Sequence, residues 1–346
     1  MKGAKRNLLF LLLLVVFFLV LFKLIYGPGT ASKMDNLFRF HNCLDLLESG
    51  KLYSQYACWH GPTLYHTYYA FKLIFGSYFA LWSTIILSAL ILLMILHITW
   101  KETNTKKFII PVILYTALIL PLIMDFFSLA AELVASVYML AGIILLMYWK
   151  SKTKLFFVSL LFTLSFLSSQ AVLSTIAIFL IIYVLEIIKK DSLKKFIRVV
   201  KSQLNQALFI LIPILGLNAL FIFLYSDFLR FVYLGFVAAK TNSFFSAVIQ
   251  TIIAFLTPNL VKLPLTIILI VGLYSLFKNR NKYLTASFFS LLITSILLVR
   301  TYPVYDAFDV YFLYNNKFIP SIILFIIGFS ILISKINLTL KKYEQV

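Results

Sequence analysis

Residues 34–76, MDNLFRFHNCLDLLESGKLYSQYACWHGPTLYHTYYAFKLIFG, form the longest segment between hydrophobic runs in this chain of 346 residues. They hold three of the twelve acidic residues, both cysteines and three of the four histidines. The rest of the chain is suited to lipid: 62% of its residues are hydrophobic and only 12% are charged. Apolar runs near the ~20 residues needed to cross a bilayer recur along its whole length. No polar stretch is long enough to build a soluble core. The composition predicts an all-α polytopic membrane protein, a single domain over 1–346, with its polar chemistry gathered in one loop.

Outward from that loop, basic residues set the topology. Lys2, Lys5 and Arg6 precede the apolar run 8–22. That run is long and lacks a good small-residue cleavage site, so it reads as a retained first span, 7–26, rather than a signal peptide. The net charge of +19 is large enough for a nucleic-acid binder. Its distribution in short clusters between spans follows the positive-inside rule instead, so no nucleic-acid partner is expected. The large loop, 27–76, is then external. Span two, 77–98, returns to Lys101, Lys106 and Lys107. Spans three (108–124) and four (129–149) make a hairpin with Asp125 at its external tip, followed inside by Lys150, Lys152 and Lys154.

Spans five (155–168) and six (171–188) turn at Ser168-Ser169-Gln170. The basic segment 189–206, with Lys189, Lys190, Lys194, Lys195, Arg198 and Lys201, reads as an amphipathic helix on the anionic inner leaflet. Span seven is 207–225. The external stretch 226–263 contains an apolar piece, 244–257, read as re-entrant or surface-lying. Span eight, 264–277, ends at Lys278, Arg280 and Lys282. Span nine, 283–299, an external loop, 300–317, and span ten, 318–334, complete the bundle before Lys335, Lys341 and Lys342. These inside clusters hold 21 of the 31 Lys and Arg. About ten transmembrane helices, with both termini cytoplasmic in a cell membrane, account for the pattern.

The loop carries the candidate chemistry. Asp35 falls just after span one, at the external boundary. Asn36–Ser49 reads as a surface-lying helix, with Leu37, Phe40, Leu44 and Leu47 on one stripe and Arg39, Asn42 and Asp45 opposite. Gly50 supplies its stop. Asp35 at the start of that helix serves either as an N-cap or as a functional acid. A second acidic pair is Asp125 and Glu132, about 10 Å apart along a helix axis. A carboxyl inside a span is costly, which makes Glu132 a functional candidate, or else a buried acid bonded to Ser or Tyr on a neighbour. His41, His60 and His66 are 19 and 6 residues apart, which matches no compact metal motif. No metal site is assigned. His60, beside Gly61-Pro62, suits a hydrogen bond to a sugar or phosphate. Asp306 and Asp309 lie among tyrosines in the last external loop, which otherwise reads as ordinary solvated chain. Cys43 and Cys58 share the external loop, where thiols oxidise. They form either a disulfide or two unrelated small apolar positions.

The order of these features resembles a known family. Asp35 comes first, then a helix ending Leu46-Leu47-Glu48-Ser49-Gly50-Lys51-Leu52-Tyr53. Gly61-Pro62-Thr63-Leu64-Tyr65 and Phe75-Gly76 follow. The sequence is similar to the first external loop of the GT-C glycosyltransferases, the superfamily of protein mannosyltransferases and aminoarabinose transferases. The resemblance covers residues 1–100; Asn36 stands where many members carry a second acid. It implies a fold of membrane helices and transfer of a sugar from a polyprenyl-phosphate donor, dolichyl- or undecaprenyl-type. The acceptor is a glycan, lipid or protein hydroxyl on the external face. Asp35 matches the catalytic acid, acting as general base. Arg300, Arg39 and Lys317 are the external cations available to the leaving phosphate. Asp125, Glu132, His60, Tyr53 and Asp306 are candidates for sugar or acceptor binding. No cofactor is required; a divalent metal remains open. The rival readings are a transporter or flippase of lipid-linked sugars, and an assembly protein without chemistry. Transporters usually show internal repeats or charges deep in several spans, and neither is evident here.

Overall fold

The computed structural model describes residues 31–53, 58, 60–104, 108–119, 131–151, 153–191, 207–225, 228, 243–256, 263–279, 281–301 and 316–343. Among these, every regular element is a helix: α1 (Ala31–Glu48), α2 (Pro62–Phe75), α3 (Phe79–Thr103), α4 (Ile109–Leu118), α5 (Ala131–Tyr148), α6 (Lys154–Phe166), α7 (Val172–Asp191), α8 (Ala207–Leu224), α9 (Phe244–Leu256), α10 (Leu263–Tyr274), α11 (Lys282–Thr301) and α12 (Ile319–Tyr343). Three stretches are long and apolar enough to cross a membrane: Pro62–Thr103, Ala131–Tyr148 and Ile319–Ile336. Six more apolar helices are shorter. The first span, 7–26, lies outside the described residues, as do most of the basic segment 189–206 and the loop 302–315.

The helix ends follow local chemistry. α1 stops at Gly50, whose N–H donates to Leu47 O at 3.0 Å while Lys51 N–H donates to Leu46 O at 2.8 Å. That closes the last carbonyls in the manner of a Schellman turn. α2 starts with Pro62 at its first turn, where a missing N–H costs nothing. Asn281 begins α11: its Oδ1 accepts the N–H of Tyr283 at 3.0 Å, and its Nδ2 donates to Gly328 O of α12 at 3.0 Å. One side chain thus caps one helix and docks it on another.

Three boundaries differ from the sequence expectation. Asp35 is not at the start of the surface helix. α1 begins at Ala31, so Asp35 lies in its second turn and cannot be the N-cap. The residues just before it, Ala31 to Met34, are compatible with helix and simply extend it. The segment 62–75, read as the end of the loop, is the helix α2. α12 runs to Tyr343, well past the expected end at 334.

α12 is the central helix. Ile319 and Ile322 to Ile327 are all buried, and it packs against α3, α4, α5, α7, α10 and α11. α5 pairs most closely with α6, α11 with α12 and α7, and α8 with α6. The ends of these helices sort into two polar clusters at opposite ends of the bundle. In one, Glu102 at the end of α3 accepts from Tyr148 OH of α5 and Tyr283 OH of α11, both at 3.2 Å. Lys282 Nζ lies 3.3 Å from the same carboxylate and 3.8 Å from Glu186 of α7. The other cluster surrounds Glu132.

Candidate functional site

Glu132 lies in the first turn of α5 and is 5% exposed. Ser169, in the turn between α6 and α7, donates its hydroxyl to Glu132 Oε1 at 3.1 Å. The turn is tight: Ser168 and Ser169 both donate backbone N–H to Ser165 O at 3.1 Å. Ser165 in turn donates its hydroxyl to Ala135 O of α5 at 2.6 Å, locking α6 to the same face of α5. One turn below Glu132 on that helix, the buried Ser136 hydroxyl has no hydrogen-bond partner among the described residues.

The Gly61-Pro62 turn packs over this point. A Cβ at Gly61 would run into the carbonyl of Leu167 at the end of α6. Only glycine permits that backbone approach. His60, next in line, is held from several sides. Tyr53 OH donates to His60 O at 2.9 Å, and His60 N–H reaches Tyr65 OH at 3.4 Å. Two residues earlier, Cys58 forms a disulfide with Cys43 of α1, with Cα atoms 5.7 Å apart. Both cysteines are buried. The bridge therefore fastens α1 to the turn that carries His60.

Charge completes the geometry. Burial pushes the His60 imidazole below its ordinary value of 6.5; the Glu132 carboxyl opposes that shift and Lys317 reinforces it. Lys317 belongs to the short 3₁₀ turn Asn316–Phe318 that leads into α12, a turn that packs against both α5 and α11. Residues 60, 132, 169 and 317, from four separate parts of the chain, therefore meet at one end of the bundle. A neutral imidazole, a carboxyl and an ammonium in a half-dry setting can accept from sugar hydroxyls and balance a phosphate charge. Tyr53 is buried among Tyr65, Tyr225 and Phe228. Burial first, then Tyr65 and Tyr225, push its phenol far above its ordinary value, so it acts as a hydroxyl donor.

The remaining candidates are placed less fully. Asp35 and Arg39 lie on α1, two turns and one turn before Cys43. Arg300 falls in the last turn of α11. Asp125, Asp306 and Asp309 lie outside the described residues. The three loop histidines go separate ways: His41 packs edge-on against Phe79, with ring centroids 5.1 Å apart, and His66 Nε2 meets Tyr225 OH at 2.9 Å. Among the described residues no group of three His, Cys, Asp or Glu is arranged to hold a metal. The Ser169 bond matches the alternative reading of Glu132 as a buried acid bonded to a serine on a neighbour; the sequence did not point to Ser136 or to the Gly61–Leu167 contact. Ser169 was visible only as a turn residue, and nothing in the sequence separates it from the chain's many other serines. No protein-family model, curated protein or solved structure matches the chain.

Proposed function

We propose that this chain is an integral membrane glycosyltransferase of about ten spans. It moves a sugar from a polyprenyl-phosphate donor to an acceptor hydroxyl on the external face. The observation that carries the reading is the fastening of the first loop over a buried carboxyl. The helix bearing Asp35 is bridged by Cys43–Cys58 to the His60 turn, and that turn sits against Leu167 beside Glu132 and Ser169. At this end of the apolar bundle a buried carboxyl, an imidazole and an ammonium lie together, where a polar headgroup on a lipid tail arrives.

In this reading the acceptor oxygen attacks the anomeric carbon as the bond from that carbon to the phosphate oxygen breaks. The acceptor proton passes to the Asp35 carboxylate, and configuration inverts. The departing lipid phosphate takes the bonding pair, and Lys317, Arg39 and Arg300 neutralise it. Glu132 and His60 hold sugar or acceptor hydroxyls, while Ser169 positions the Glu132 carboxyl and Tyr53 holds the backbone of His60. The test is transfer by the purified full chain in lipid nanodiscs, given radiolabelled polyprenyl-phosphate sugars and mixed hydroxyl acceptors. The expected result is labelled product from at least one donor. Movement of intact donor across vesicle membranes, with no transfer from any donor, would overturn it.

A further inference from the structure

The elbow between α2 and α3 is an apolar projection at the end of the bundle that carries Glu132. Leu73 and Ile74 are 70% and 71% exposed, Tyr78 67% and Trp82 42%. Phe71, Phe75 and Trp82 stack nearly parallel behind them, with centroids 6.0 and 5.6 Å apart. The opposite face of α2, with Leu64, Tyr65 and Tyr68, is fully buried.

Helix lengths fix how α2 runs. Pro62–Thr103 is 42 residues, which as one straight helix would be ~63 Å long, about twice the ~30 Å hydrocarbon core. Gly76 breaks it: φ 55, ψ −132 is a conformation that L side chains rarely adopt. Glu102 on α3 and Tyr148 on α5 touch at the far end, 3.2 Å apart, and serve as a common baseline. From there α3 rises ~35 Å to Phe79, whereas α5 rises only ~24 Å to Glu132. The N-terminus of α2 lies at the level of Glu132, held by the Gly61–Leu167 contact. Its C-terminus lies at the top of α3. Over its ~21 Å length α2 therefore runs from the elbow back toward the level of Glu132.

We propose that α2 is a re-entrant helix and that its elbow is a membrane-contact surface, seated in the acyl chains just below the headgroups. The partner is the bilayer itself. Three features single it out. α3 alone, 25 residues or ~38 Å, already exceeds the core thickness, so its first turn falls at the interface. Tyr78 and Trp82 are residues that favour that level. Lys72, the residue before Leu73, reaches Asp45 of α1 at 2.8 Å, as an interfacial lysine does when its stem lies in lipid and its ammonium at the water boundary. The elbow then sets the height of α1 as well. None of this depends on glycosyl transfer.

The test uses the full chain with its native disulfide intact, reconstituted in phosphatidylcholine–phosphatidylglycerol vesicles. Single cysteines at Ile74, Glu48 and Ile113 carry nitroxide labels. Glu48 on α1 is the water reference, and Ile113, exposed on α4, the lipid reference. Collision with oxygen and with a water-soluble nickel chelate is then compared. The label at Ile74 should match Ile113, with an oxygen-to-nickel ratio several-fold above that at Glu48. Nickel access equal to that at Glu48 would mean that the elbow stands in water. Protection from both agents would mean that protein covers it, a second copy of the chain included. Either result overturns the proposal.

Discussion

Two side chains test the site residue by residue. Asp35 sits two turns before the disulfide on α1. If it takes the acceptor proton, Asp35→Asn should cut turnover by at least ~10²-fold. Donor binding should be nearly unchanged, because the amide keeps the shape and loses only the base. Near-normal turnover in a single-turnover assay would remove Asp35 from the mechanism. His60 is a test of stability. Its imidazole is held below the ordinary value of 6.5, chiefly by burial. Around and below 6.5 the unfolded chain binds a proton that the folded protein resists, so stability is fully present above that pH and lost as the pH falls below it. His60→Gln should flatten that loss between neutral and mildly acidic pH in thermal unfolding. An unchanged acid slope would show that the titration lies elsewhere. Glu132 and Lys317 act on His60 in opposite directions, so replacing either should also move the midpoint, Glu132→Gln towards lower pH and Lys317→Met towards higher pH.

At the scale of elements, the question is what seats the His60 turn. Beside the Tyr53 and Tyr65 hydrogen bonds, two contacts can be tested separately, one covalent and one steric. The disulfide closes a separation of 15 residues, worth ~3 kcal/mol in the chain-entropy model. Cys58→Ser should lower stability by about that much, and mass spectrometry after alkylation without reductant should find both native thiols unmodified. Gly61→Ala meets the Leu167 carbonyl. Backbone does not yield as a side chain does, so a loss of ~1–3 kcal/mol is expected, together with a lower affinity for donor. A fully stable Gly61→Ala protein would mean that the turn stands further off α6. These contacts also mark where sequence reading stops. The stop at Gly50 and the helices α5 to α11 were legible because periodicity, turn residues and basic clusters are local signals. The polar character of the loop was legible from composition. Which helix the Gly61 turn would meet, and which serine would reach Glu132, were not. A hydrophobic pattern says which face is buried and is silent about the neighbour. The N-terminus of α1 was missed for a related reason: Asp is a good cap, but the residues before Asp35 carry no signal against helix.

At the scale of the whole molecule, the two polar clusters lie at opposite ends of the bundle, and the ends of the helices divide between them as the basic clusters require. The ends of α3, α5 and α7 and the start of α11, all flanked by Lys or Arg in sequence, meet at Glu102. The starts of α5 and α12 and the end of α6 meet at Glu132. Glu102 is the hub of its cluster: one carboxylate oxygen serves two tyrosines and Lys282, which is 15% exposed. Glu102→Ala would take the shared acceptor from two phenols and the nearer carboxylate from Lys282 at the junction of four helices, leaving Lys282 with Glu186 at 3.8 Å and the Tyr283 hydroxyl with Met147 Sδ at 3.0 Å. Such a loss costs roughly 2–3 kcal/mol, whereas Glu102→Gln, which still accepts from the tyrosines, should cost less. Thermal unfolding in detergent that ranks both variants with wild type would mean that the cluster does not hold the helices together. The same geometry predicts sidedness. If the basic end is cytoplasmic, as the positive-inside rule proposes, a cysteine replacing Lys150 should be shielded from impermeant thiol reagents in intact cells, and one replacing Asn316, beside the Glu132 cluster, should react. The native cysteines, tied in their disulfide, leave the labelling background low. Labelling at position 150 with protection at 316 would invert the protein in the membrane. It would put the Asp35 helix and the Glu132 cluster on the cytoplasmic face, opposite the face of the proposed transfer.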